Sequence, residues 1–294
     1  MSTKQSWFLL IAANILWASS YVAAKFVLRE MSVTMMLAFR LGIAALLLLP
    51  WLVARRKDLH LTRKDVWQLG VLVLIGFVVN KLLEFGGLAL TTASDVALLI
   101  SGESLFTAAL SWLLLKERLK GRAVFALLLG FFGVYLIVEQ GVVPALPAGG
   151  GVWRMVGDLL VVAALLSEAF YTVRGKALVV KHSPLLITAA AIVGSALFWL
   201  PVGIGEGIVI GWHALSLATW FWLIWLAVMA TIVAYLAWFQ GLAKVDGSAA
   251  AATLFIQPLL GPIFAVVMLH DQLTPITVVG GVLIVICVYM ISRG

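Results

Sequence analysis

The sequence predicts an all-α integral membrane protein, with ten transmembrane helices arranged as two inverted five-helix repeats. Three observations lead there: the composition, ten apolar runs, and a match of the sequence to itself at a fixed offset. Of 294 residues, 64% are hydrophobic and only 11% are charged, and the mean hydropathy is +1.14. That lies well outside the usage of water-soluble domains. One bilayer crossing takes about twenty apolar residues, so ten crossings use roughly 200 to 220 and leave no room for a soluble domain. Unbroken apolar runs, in place of alternation, exclude a membrane barrel.

The expected spans are 7–28, 34–54, 66–88, 94–115, 121–139, 156–176, 185–203, 218–241, 247–269 and 275–292. The first carries Asn14, Trp17 and Lys25 and lacks a small-residue cleavage site, so it reads as a permanent span and not as a signal peptide. The basic cluster Arg55-Arg56-Lys57 closes the second span, and Thr62 with Asp65 resembles a capping box opening the third. Ser94-Asp95 offers two caps for the fourth, and Lys116-Glu117-Arg118 separates it from the fifth. The Gly/Pro-rich stretch Gly141 to Gly151 is the expected linker, dividing the chain into repeats 1–145 and 146–294. Ser183-Pro184 and Thr274-Pro275 place proline just after a capping residue at the seventh and tenth starts.

Fifteen of the 20 Lys and Arg residues fall on one side of these spans, and only Arg29 and Arg154 on the other. This positive-inside bias puts both termini in the cytoplasm and explains the formal charge of +7 without nucleic acid. Lys25, Arg40 and Lys81 remain inside spans. The single cysteine, Cys287, excludes an intramolecular disulfide.

Shifting the sequence by 154 residues aligns Gly87-Leu88-Ala89 with Gly241-Leu242-Ala243, Ser94 with Ser248, Val134-Tyr135 with Val288-Tyr289, Glu103 with Gln257 and Glu117 with Asp271. Offsets of 151 and 150 pair Pro50 with Pro201 and Tyr21 with Tyr171. A five-span unit repeated once enters the membrane from the opposite side the second time, because five is odd.

The chain resembles the EamA-type exporters of the drug/metabolite transporter superfamily. The resemblance rests on Leu16-Trp17-Ala18-Ser19-Ser20, Phe39-Arg40, Leu90-Thr91-Thr92-Ala93-Ser94, Leu113 to Leu119, Gly130-Phe131-Phe132-Gly133-Val134, Glu168-Ala169-Phe170-Tyr171, Gln257-Pro258-Leu259 and Gly280-Gly281. It is closest to the aromatic amino-acid exporter branch, although Glu103 is followed by Ser104 where the family often has proline. The resemblance implies a secondary transporter in the cell's inner membrane, exporting amino acids, aromatic and other small metabolites, by alternating access through a central cavity.

Charged groups at membrane depth cost about 2.5 to 3.5 kcal/mol each on insertion scales, so they mark candidate sites. Asn80, Lys81 and Glu84 share one helix face and offer an amide, a cation and an anion to an amino-acid substrate; an internal ion pair is the alternative. Glu103 and Glu168 sit near span centres and are candidates for substrate binding and for proton coupling, against a structural hydrogen-bonding role. Gln257 precedes Pro258, whose missing N–H leaves a carbonyl four residues earlier for a ligand or side chain. Trp17, Tyr21, Tyr171, Tyr235 and Trp238 lie near span middles and could stack on a substrate or serve packing alone. Trp199, close to a span end, reads with Trp51, Trp67, Trp153, Trp212 and Trp220 as an interface anchor, and Arg40 as a tie between helices.

No metal, nucleotide or hydrolase motif is present, so no cofactor or enzyme activity is expected. The expected partners are a small-molecule substrate and the bilayer, with association of copies left open. A passive channel or facilitator for small metabolites or drug-like cations is the first alternative, and an intramembrane enzyme using Glu103 or Glu168 the second.

Overall fold

The computed structural model describes residues 3–54, 61–88, 90, 99, 102–118, 120–139, 152–210, 215–260 and 275–292. These residues form α1 (Thr3–Val27), α2 (Val33–Ala54), α3 (Arg63–Val73), α4 (Asn80–Leu88), α5 (Glu103–Leu115), α6 (Gly121–Glu139), α7 (Val152–Val179), α8 (Pro184–Ile210), α9 (Leu217–Ala227), α10 (Ala234–Leu242), α11 (Gly247–Thr253) and α12 (Pro275–Ser292). π-helical turns at Leu74–Val79 and Val228–Val233 join α3 to α4 and α9 to α10. Counting each joined pair as one, the described chain has ten helices.

Ten helices are not ten membrane spans. Among the described residues five are long and apolar enough to cross a bilayer: Val33–Ala54, Arg63–Glu84, Met155–Val179, Pro184–Ile208 and Leu217–Leu242. This corrects the expectation of ten transmembrane helices in two inverted five-helix repeats. The apolar helices Glu103–Leu115, Gly121–Ile137, Gly247–Leu260 and Val278–Ile291 are shorter, at 10–17 residues.

Two turns interrupt the helices in these spans. In the span expected at 94–115, Gly102 N–H donates to Leu99 O at 2.7 Å just before α5 begins at Glu103. In the span expected at 247–269, α11 stops at Thr253 and Gln257 N–H donates to Leu254 O at 3.1 Å. Leu254 O is the carbonyl that Pro258 fails to bond, so Gln257 takes up the acceptor expected to be open to a ligand. The linker 141–151 and the cap pair Ser94-Asp95 lie outside the described residues, as do the side chains of Tyr21 and Lys25.

Helix starts follow their caps. Thr62 Oγ1 accepts from Asp65 N–H at 3.2 Å while Asp65 accepts from Thr62 N–H at 3.0 Å, completing the capping box at α3. Ser183 Oγ accepts from Leu186 N–H at 3.2 Å at the start of α8. Element starts also recur: α3, the first π turn, α4 and α6 begin 154 residues before α9, the second π turn, α10 and α12.

A π turn releases backbone carbonyls from the helical ladder, and each of these turns finds outside donors. Ala230 O accepts from Trp17 Nε1 and from Arg40 Nη2, both at 3.2 Å, and Arg40 Nε donates to Thr231 Oγ1 at 2.6 Å. Arg40 is thus a tie between helices. Phe77 O accepts from Trp199 Nε1 at 3.2 Å. Trp199 is only 3% exposed, so it braces a helix and is not an interface anchor.

The chain forms two compact units, Met1–Val78 with Gly175–Ala243, and Val79–Arg174 with Lys244–Gly294. In the first, α2 packs along α8, and a core of Ala23, Val27, Met31, Met35, Leu223 and Leu226 lies where α1, α2 and α9 meet. In the second, α6 packs along α12 so closely that a Cβ on Gly280 would lie 2.5 Å from Gly133 O. Such small-residue contacts replace the hydrophobic driving force that lipid does not supply.

Candidate functional site

The second unit gathers the ionisable residues. On α4, Lys81 Nζ donates to Glu84 Oε2 at 2.6 Å, one turn apart, with the two side chains 26% and 25% exposed. Beside them Asn80 is 3% exposed, and its Nδ2 donates to Ala164 O on α7 at 2.9 Å. Its Oδ1 is buried without a hydrogen-bond partner among the described residues. Glu168 lies one turn beyond Ala164 on the same helix and is partly buried. Glu103, also partly buried, is the first residue of α5, where a carboxylate complements the helix dipole.

These groups act on one another. Glu103 lies within electrostatic reach of Glu168, Lys81 and Glu84, and Glu168 within reach of Lys81 and Glu84. Three helices therefore bring one cation and three carboxyl groups together in an apolar setting. Tyr171 is three residues from Glu168 on α7 and 2% exposed. Gln257, partly buried, belongs to the same unit and follows the turn after α11.

The first unit gathers the aromatic candidates other than Tyr171. Trp17 packs on Tyr235 with ring centroids 5.2 Å apart and on Trp238 at 5.3 Å. Phe77 lies against Tyr235 at 5.3 Å. These rings fill one another's faces, and Trp238 is 1% exposed. The site residues inferred from sequence thus divide into two sets, one in each unit.

Three polar devices escaped the sequence reading. Glu206 on α8 accepts from Thr34 Oγ1 at 2.5 Å and also from Ser32 Oγ, tying α8 to the start of α2. Lys116, with φ 56°, turns the chain after α5 so that Glu117 caps α11, accepting from Gly247 N–H at 3.1 Å and Ser248 N–H at 3.3 Å. Glu30, in the loop before α2, accepts from Ser216 N–H at 2.8 Å. Among the described residues no three of His, Cys, Asp and Glu are placed to hold a metal ion.

Comparison with known proteins agrees in class. An uncharacterized transporter of Archaeoglobus fulgidus is 26% identical over 284 residues, spanning 96% of this chain and 95% of that protein. A protein of Escherichia coli named a probable amino-acid metabolite efflux pump is 27% identical over 206 residues, 67% of each chain. A solved crystal structure superposes with a TM-score of 0.80 at 18% identity, covering 98% of this chain and 96% of that one, which shows a shared fold. The pattern of the EamA-like transporter family matches twice, over residues 5–139 and 155–293. The chain belongs to the EamA-like transporter family: it is a multi-pass membrane transporter and not an enzyme.

Proposed function

We propose that the protein is a secondary transporter exporting amino acids and similar small metabolites across the inner membrane by alternating access. The observation that carries this reading is the cluster of Lys81, Glu84, Glu103 and Glu168 on α4, α5 and α7, with Asn80 beside it. A zwitterion placed there meets a cation for its carboxylate and carboxylates for its ammonium group. Tyr171, about one turn from Glu168 on α7 and buried, offers an aromatic ring beside the cluster, which supports the aromatic amino-acid branch. The printed name of the Escherichia coli relative supports amino-acid-derived substrates. The basic-residue bias supports cytoplasmic termini, and the two family matches support duplicated halves at 1–145 and 146–294.

Glu103 and Glu168 carry the coupling proton in this reading, with Lys81 and Glu84 as the charged groups facing them. The test is uptake of radiolabelled phenylalanine, threonine, glutamate and lysine into proteoliposomes, with and without a pH gradient. Saturable uptake that loses its pH dependence in Glu103→Gln or Glu168→Gln is expected. Unsaturable flux, or unchanged pH dependence in both variants, overturns the carrier or its proton site respectively.

A further inference from the structure

Among the described residues the α4–α5–α7 cluster carries more carboxyl groups than cations. Acceptors come from Glu84, Glu103, Glu168 and the Oδ1 of Asn80, whereas the donor cation is Lys81, which already donates to Glu84 at 2.6 Å. Asn80 is the independent witness. Its nitrogen is held by Ala164 O, one turn before Glu168, so its buried oxygen is fixed at the contact of α4 with α7 and faces no protein donor among the described residues. A buried acceptor left unmatched costs free energy that a donating ligand recovers. Carboxylates in excess over cations likewise favour a ligand that brings positive charge and several N–H groups.

From this we infer that the site recognises a protonated primary amine, and that a carboxylate on the ligand is dispensable. The inference rests on the reading of this cluster as the transport site, and it adds that simple amines are ligands while the matching acids are not. Lys81 is the resident competitor of such an amine. A substrate carboxylate turns the lysine from competitor into partner, which gives amines and amino acids opposite responses to its removal.

The full-length protein in detergent is heated with phenethylamine or propylamine, with phenylalanine, and with 3-phenylpropionate or butyrate. At saturating concentration the amines and phenylalanine raise Tm by about 2–4 °C and the acids do not. In Glu103→Gln and Glu168→Gln, each of which keeps the side-chain volume, about tenfold more amine is needed for the same shift. In Lys81→Met the amines act at lower concentration and phenylalanine at higher. Equal stabilisation by the acids, or none by either amine, overturns the inference. Amine stabilisation without any flux of labelled phenylalanine in proteoliposomes instead overturns the transport reading and leaves the amine site standing.

Discussion

Lys81 and Glu84 on α4 stand at the positions of Tyr235 and Trp238 on α10, 154 residues later. Neighbouring contacts follow related offsets. Gly87 on α4 abuts Gly157 O and Val161 on α7, and Gly241 on α10 abuts Ser6 O and Leu10 on α1. The offset of 151 that relates those partners also carries Trp17 onto Glu168. Equivalent backbone positions thus hold an aromatic set in one unit and an ionisable set in the other. The aromatic set satisfies itself: its rings pack at 5.2 and 5.3 Å and its indole N–H finds Ala230 O. The ionisable set does not, because one cation faces three carboxyl groups and a buried amide oxygen is unmatched among the described residues. Self-sufficiency suits a brace, and incompleteness suits a place where something binds.

Neutralising both sets tests that contrast most severely. Lys81→Met combined with Glu84→Gln removes both charges of the pair, so neither partner is left orphaned, and thermal unfolding in detergent checks that the variant is folded. Transport in proteoliposomes should fall about 100-fold, the loss of two charge-assisted contacts. Tyr235→Phe, at the position equivalent to Lys81, keeps the ring contacts and should change transport by less than about threefold. Comparable losses from both variants would erase the division between brace and site.

The common backbone can be tested independently of the chemistry. A Cβ on Gly87 would lie 2.7 Å from Gly157 O, which is backbone and gives little, so Gly87→Ala should destabilise by about 1–3 kcal/mol. On Gly241 the first atom met is Leu10 Cγ at 2.7 Å, on a fully buried side chain, with Ser6 O at 2.9 Å behind it. Gly241→Ala should therefore fall in the same range. Thermal unfolding in detergent measures both, and a neutral result at either glycine would break the equivalence of the two contacts.

Charge was legible in the sequence because its cost in an apolar setting leaves few explanations for Lys81, Glu84, Glu103 and Glu168. The helix caps were legible too: Thr62 with Asp65, and Ser183 before Pro184, are local signals read within four residues. The turns inside the spans were not, since hydropathy reports composition over a window and is blind to a turn at Gly102 or at Leu254. Nor were the π turns, because Leu74–Val79 and Val228–Val233 share no residue type that marks them. Their stabilising donors, Trp17, Arg40 and Trp199, arrive from elements more than one hundred residues away, as in the 213 residues from Trp17 to Ala230. The same distance hid the separation of the candidate residues into two sets.

The smallest difference lies at two helix starts. Thr62 and Ser216 are N-caps 154 residues apart, but the residue three positions on is Asp65 in the first and Thr219 in the second. Asp65 returns a carboxylate to Thr62 N–H, whereas Thr219 has none to return. Glu30, from the loop before α2, supplies it, accepting from Ser216 N–H at 2.8 Å and Ser216 Oγ at 2.7 Å. The capping box at α9 is therefore completed by a residue distant in sequence. Those bonds, the backbone one foremost, hold the Glu30 carboxyl below its ordinary 4.5. A lowered value means that the tie contributes fully above about pH 4.5 and is lost as pH falls through the folded value beneath it. The Tm difference between wild type and Glu30→Ala should accordingly be constant from pH 7 to about 5, then shrink toward zero on further acidification. The exposed position keeps the effect small. A difference that holds or grows below pH 4 would show that Glu30 acts on α9 in some way other than through its charge.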